Sequence, residues 1–119
     1  MYEIRVESRF AAQHQLKMYD NRYEPLHTHD WRVRAVIAAD DLDEIGVAVD
    51  FCRVKQWLDQ IVEPFRVGRM NEVLGPHNPS AERTAQYVYE RLLELLPGRV
   101  VLRAVEVMEA QGCWARYEP

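Results

Sequence analysis

The opening residues alternate. Tyr2, Ile4, Val6, Ser8, Phe10 and Ala12 share one phase, Glu3, Arg5, Glu7 and Arg9 share the other, and the first phase runs on to His14. A period of two with one charged face predicts a half-buried strand. "KMYDNRYEP" follows, rich in turn formers, and predicts a loop. Alternation resumes from about His27 to Ala39, with His27, His29, Trp31, Val33, Ala35 and Ile37 on one face. This second strand runs into a polar turn, "AADDLDEIG".

The period then changes. In "VDFCRVKQWLDQIVEPF" the apolar residues Phe51, Val54, Leu58, Ile61 and Phe65 recur at spacings of three and four, the mark of an amphipathic helix. Asp50 is a suitable N-cap, because its carboxylate can accept from free amides of the first turn, and Pro64 suggests the end. "NPSAERTAQYVYERLLELLPG" predicts a second helix, capped by Asn78 or Ser80, with Pro79 in the first turn. Its apolar stripe is Ala81, Thr84 or Ala85, Val88, Leu92 and Leu95, and Pro97-Gly98 stops it. "RVVLRAVEVME" is β-rich, and "GCWARYEP" closes as a short alternating strand. Two hairpins around two helices imply an α+β layer fold, an antiparallel sheet with both helices on one face.

At 119 residues a single domain spanning 1–119 is expected, with a core small enough that self-association would help it. A net charge of -4, with basic residues scattered rather than clustered, gives no pull toward nucleic acid or an anionic membrane. No apolar stretch approaches the roughly 20 residues of a bilayer span, and the charged N-terminus shows no signal-peptide pattern. The two cysteines, Cys52 and Cys113, then read as free thiols in a reducing cytoplasm. Cys52 falls just inside a helix N-terminus, where a thiol pKa can drop, but a small buried hydrophobe is the simpler reading of both.

The chemistry gathers at the histidines. Side chains two apart on a strand leave the same face, so His27 and His29 point with Trp31 and Val33. His14 is in phase with the buried face of the first strand. If the two strands pair as a hairpin, three imidazoles converge beyond the apolar core. Three neutral imidazoles with a fourth position open form a catalytic zinc set. A β-bulge in either strand would flip that phase and leave surface histidines instead. Glu24, three residues before His27, could serve as a general base or stand solvated in its loop. Glu109 ends a strand on which Val101, Val105 and Val107 share its phase, and a carboxylate continuing an apolar face marks a candidate ligand anchor. His77 reads as a loop residue at a helix start.

At these residues the chain resembles the 6-pyruvoyl-tetrahydropterin synthase family, which includes the bacterial 6-carboxytetrahydropterin synthases of queuosine biosynthesis. "FAAQHQL" is similar to F-x-A-A-H-x-L, "LHTHDW" to L-H-G-H-N-[YFW], "VDFCRVK" to V-x-D-F-x-x-[LV]-K, "NPSAERTAQYVYERL" to the N-P-T-x-E helix, and "VMEAQGCWARY" to V-x-E-x(5)-A-x-Y. The matches come in family order from about residue 4 to residue 117. The resemblance implies the tunnelling fold, a four-stranded antiparallel sheet with two helices on one face in ββααββ order. It also implies homo-oligomers, trimers stacked as hexamers, with active sites at subunit interfaces. By motif position it implies zinc on His14, His27 and His29, and a pterin substrate held by Glu109.

The chain departs from the family pattern at three places. Tyr23 stands where the synthases carry a cysteine four residues before the H-x-H pair. Arg66 and Val67 stand where they carry an Asp-His pair, and Thr28 replaces the glycine between the histidines. One branch of the family has E-x-x-H-G-H instead of the cysteine, and Glu24-Pro25-Leu26-His27 matches that spacing. The resemblance to that branch implies cleavage of the 7,8-dihydroneopterin side chain, with or without its triphosphate, to 6-hydroxymethyl-dihydropterin for folate biosynthesis, with Glu24 as base. Two alternatives stand beside it: a divergent 6-carboxytetrahydropterin synthase, and a non-catalytic homologue that binds zinc or pterin.

Overall fold

A computed structural model describes residues 1–119. Strand β1 (Tyr2–His14) and strand β2 (His27–Ala39) come first, then helices α1 (Phe51–Val67), α2 (Met70–Leu74) and α3 (Ala81–Leu95), and last strands β3 (Val101–Ala110) and β4 (Cys113–Tyr117). The strands form one antiparallel sheet in the order β1-β2-β3-β4. Helix α1 packs on β1 and α3 on β3 and β4, so both long helices cover one face. No helix is long and apolar enough to cross a membrane.

The first hairpin follows the alternation closely. Its register is unbroken from Tyr2 opposite Ala39 to His14 opposite His27. Val6, Ser8, Phe10, Ala12 and His14 are buried, while Glu3, Arg5 and Arg9 are exposed. The core gathers under the helices. The Phe10 and Trp31 rings stack at 6.0 Å, Phe65 of α1 lies 5.6 Å from Phe10, and Leu58, Val88 and Leu92 close the layer. Trp31 is wholly buried and its indole N–H donates to the Ala12 carbonyl at 3.3 Å. That bond satisfies the one polar atom of the largest core side chain.

On the opposite face a row of charges crosses all four strands. Arg34 lies 3.2 Å from Glu7 and 3.4 Å from Glu106, and Glu106 lies 3.1 Å from Arg116. Partly exposed pairs of this kind contribute little individually to stability. They share that face with Val36, Ala38, Ala104 and Met108, which are buried.

Asp50 caps α1, its carboxylate accepting from the Cys52 N–H, and Ser80 caps α3 by accepting from Arg83 N–H. Several expectations need correction. Helix α1 continues three residues past Pro64, because a proline in the last turn costs one intrahelical bond while buried Phe65 holds that turn to the sheet. Pro79 lies before the cap of α3 rather than in its first turn. Phe51 and Leu95 sit in phase with their stripes but at the helix ends, beyond the sheet's cover, and are exposed. Both cysteines are exposed rather than buried. The one-turn α2 has no counterpart in the hydrophobic periodicity.

The largest correction concerns β3. Val36 pairs with Ala104 and Ile37 with Leu102, which leaves Arg103 unopposed in a bulge. Beyond it the phase flips: Leu102 is buried and Val101 is exposed. Val101 therefore does not share a face with Val105, Val107 and Glu109.

Candidate active site

The alternation of β1 and β2 brings the three histidines together at one end of the hairpin. His14 and His27 are direct cross-strand partners, and His29 pairs with Ala12, one step diagonal to His14. Opposite and diagonal neighbours on one face are within side-chain reach. The ring centroids lie 4.5 Å apart for His14 and His27, 4.6 Å for His27 and His29, and 5.4 Å for His14 and His29. One ring nitrogen from each falls within 4.8 Å of the others. Trp31 packs edge-on against His14 at 4.8 Å and forms the floor of the cluster.

Two backbone carbonyls fix which nitrogens face inward. His14 Nδ1 lies 2.8 Å from the Pro79 carbonyl, and His27 Nδ1 lies 2.8 Å from the Pro25 carbonyl. A carbonyl can only accept, so each Nδ1 carries the proton and each Nε2 presents a lone pair. The two Nε2 atoms lie 2.8 Å apart. Two lone pairs at that separation repel unless a proton or a cation lies between them. Carbonyl-anchored imidazoles of this kind are the usual arrangement of metal-bound histidines. The donor set, three imidazoles and no thiolate, suits zinc and leaves a fourth position open.

Burial pushes the His14 imidazole below its ordinary pKa, and the nearby His27 and His29 add to that, against the Pro79 carbonyl and the Glu109 carboxylate, which favour the charged form. The lowered direction favours the neutral, ligating ring.

Two carboxylates flank the cluster. Glu109 is the unopposed residue of a second bulge, where Met108 pairs with Trp114 and Ala110 with Cys113. Bulges re-aim side chains, and Glu109 Oε1 reaches to 3.4 Å from His14 Nε2. Glu24 Oε1 lies 3.9 Å from His27 Nε2 and accepts from the Leu16 N–H at 3.0 Å. The loop glutamate is thus folded back onto the end of β1 rather than free in solvent. Beside the cluster opens a cleft of about 700 Å³, lined by His29, Glu109, Asp30, Gln111 and the cross-strand pair Arg9 and Arg32.

The other sequence candidates lie elsewhere. His77 is exposed and lines a separate depression with Arg83 and Tyr87. Tyr23 is largely exposed and makes an isolated bridge with Lys17. The Arg66 guanidinium is engaged by Glu63, Asp59 and the Arg9 carbonyl, and Val67 is exposed. No proton relay forms from that pair. The roles of Pro25 and Pro79 were not visible in the sequence, since they are played by main-chain carbonyls.

Comparison with known proteins agrees with the fold. A family model for 6-pyruvoyl tetrahydropterin synthase matches residues 3–119. A 6-carboxy-5,6,7,8-tetrahydropterin synthase from Synechocystis is 34% identical over 98% of this chain and 93% of its own length. A dihydroneopterin monophosphate aldolase from Pyrococcus furiosus is 28% identical over 84% of this chain and 82% of its own. The solved structure of a Caenorhabditis elegans 6-pyruvoyl tetrahydropterin synthase superposes with a TM-score of 0.83 at 18% identity, covering 99% of this chain and 95% of that one. The four-stranded antiparallel sheet with its helices on one face is thus the tunnelling fold of these synthases. The chain belongs to the 6-pyruvoyl tetrahydropterin synthase family, as a lyase-type enzyme whose relatives are named for pterin chemistry.

Proposed function

We propose that this protein is a zinc-dependent pterin lyase that cleaves the side chain of 7,8-dihydroneopterin or a phosphorylated form of it, with Glu24 as the base. The observation that carries the reading is the placement of Glu24, whose carboxylate lies 3.9 Å from His27 Nε2 in a chain with Tyr23 where the synthases have a thiol. The aldolase relative, named for dihydroneopterin monophosphate, supports the substrate class.

His14, His27 and His29 would hold the zinc through their inward nitrogens. When bound, the metal supplies Lewis-acid polarisation of a substrate oxygen and lowers the pKa of a hydroxyl near it. Glu109, at the cleft wall, accepts two parallel hydrogen bonds from the amino-pyrimidine edge of the pterin. Glu24 takes the proton from the hydroxyl on the second side-chain carbon. The bond between the first and second side-chain carbons breaks, the second leaves as an aldehyde, and its bonding electrons pass into the electron-poor dihydropterin ring. Return of a proton to the first carbon gives 6-hydroxymethyl-dihydropterin, so atoms and electrons balance without an oxidant.

Self-association belongs to the same reading. Strands β1 and β4 are sheet edges with unpaired backbone groups, and the cleft stands open at the end of one protomer. Neighbouring copies would close it, as a trimer or hexamer.

A second reading has one observation in its favour, the 34% identity to a 6-carboxytetrahydropterin synthase. The absence of a thiol at Tyr23 weighs against it. The test is turnover of dihydroneopterin and its phosphates by zinc-loaded protein and by Glu24→Ala. Cleavage that collapses in Glu24→Ala supports the proposal; no turnover of either substrate, with Glu24→Ala indistinguishable, removes it.

A further inference from the structure

Strand β1 ends at His14, yet the backbone groups of the next three residues keep hydrogen-bond partners. Asn71, in α2, accepts from the Gln15 N–H at 3.0 Å and donates to the Gln15 carbonyl at 2.8 Å. Asn78, two residues before the cap of α3, does the same to Lys17, at 2.8 Å and 2.9 Å. Each side-chain amide imitates a neighbouring strand, saturating both backbone groups of one residue. Leu16, between them, faces the other way. Its N–H donates to Glu24 Oε1 at 3.0 Å, and its carbonyl accepts from the Glu24 N–H at 2.9 Å.

The consequence is a chain of contacts from the helical layer to the carboxylate. Asn71 and Asn78 fix the ribbon at residues 15 and 17, the ribbon fixes the Leu16 N–H, and that N–H aims Glu24. Neither asparagine lines the 700 Å³ cleft, and neither belongs to the histidine cluster. Any effect on turnover must pass through the backbone.

We propose that Asn71 and Asn78 are positioning residues that orient the Glu24 carboxylate through the 15–17 ribbon. The inference rests on Glu24 being the base. The Leu16 N–H holds Oε1, the same oxygen that lies 3.9 Å from His27 Nε2, so this bond sets how the carboxylate faces the cluster. Loss of either amide releases the ribbon, and a displacement of about 1 Å at a reacting group can cost ~100-fold in rate.

The test is a double-mutant cycle on zinc-loaded, full-length protein with dihydroneopterin monophosphate as substrate. The variants are Asn71→Ala, Asn78→Ala, Glu24→Gln and the doubles, with Asn78→Asp as the milder change that keeps the acceptor and loses the donor. Each Asn→Ala is expected to lower kcat by about tenfold or more, with KM and zinc content within about twofold of the parent. On the residual rate of Glu24→Gln, adding Asn78→Ala is expected to change little, since residues acting through one group are not additive. Asn78→Asp falls between, and it stands in for Asn78→Ala if that variant does not fold. Parental kcat in the Asn variants, losses that multiply in full with Glu24→Gln, or losses that track zinc content overturn the clamp while leaving Glu24 as base. Full activity in Glu24→Gln overturns the base assignment, and the clamp with it.

Discussion

His14 and His27 face each other through their Nε2 atoms at 2.8 Å, and each has its Nδ1 proton committed to a proline carbonyl, Pro79 for one and Pro25 for the other. Neither ring can tautomerise to relieve the contact without losing its carbonyl partner. The end of the hairpin is therefore prepared for a shared electrophile. Binding of zinc there should stabilise the fold by mass action, by about 2.7 kcal/mol at a hundredfold excess over Kd. Thermal unfolding with and without zinc measures this. The melting temperature should rise with zinc in the parent and respond much less in His29→Ala.

The lowered pKa of His14 sets a direction for pH dependence in the metal-free protein. Burial holds its folded value below the ordinary 6.5, so the unfolded chain binds the proton first as pH falls. Stability from this group is steady above about 6.5 and declines as the pH drops from there toward the folded pKa. Urea midpoints measured with chelator at pH 7.5 and 5.5 should show the lower value at 5.5. The difference should shrink in His14→Asn.

Glu24→Gln removes the base but keeps the shape. A positioned general base contributes about 100- to 10,000-fold, and kcat should fall by that order while pterin affinity is retained. Glu109→Ala should do the reverse first, weakening pterin binding in equilibrium titration. Tyr23→Cys restores the thiol of the synthases at an exposed position. It should leave side-chain cleavage unchanged, because Glu24 rather than the residue at position 23 takes that proton.

Trp31 joins the core to the site, stacked with Phe10 and edge-on to His14. Trp31→Ala should cost about 3–5 kcal/mol of stability and should also reduce zinc affinity, since the floor under His14 is lost. Denaturant unfolding and zinc titration on the same variant check both effects.

Much of this was legible in the sequence, for a specific reason. An unbroken antiparallel hairpin preserves phase, so alternation from Tyr2 to His14 and from His27 to Ala39 was enough to converge three histidines. Asp50 was readable as a cap because capping is local. What was hidden was non-local. The unopposed Arg103 swings Val101 out of the core face, and nothing in "RVVLRAV" announces it. The five residues of α2 are too few to show a helical period. Asn71 carries no signal in the sequence and Asn78 reads as a candidate helix cap, until the fold lays them along Gln15 and Lys17. The exposure of Cys52 follows from its place at a helix start, on the side away from the sheet.

The most direct measurement is the product of zinc-loaded protein incubated with 7,8-dihydroneopterin and with its monophosphate and triphosphate. 6-Hydroxymethyl-dihydropterin and an aldehyde are expected in equal amounts from at least one of them. Formation of 6-carboxytetrahydropterin, or no product from any of the three, would contradict the proposed cleavage.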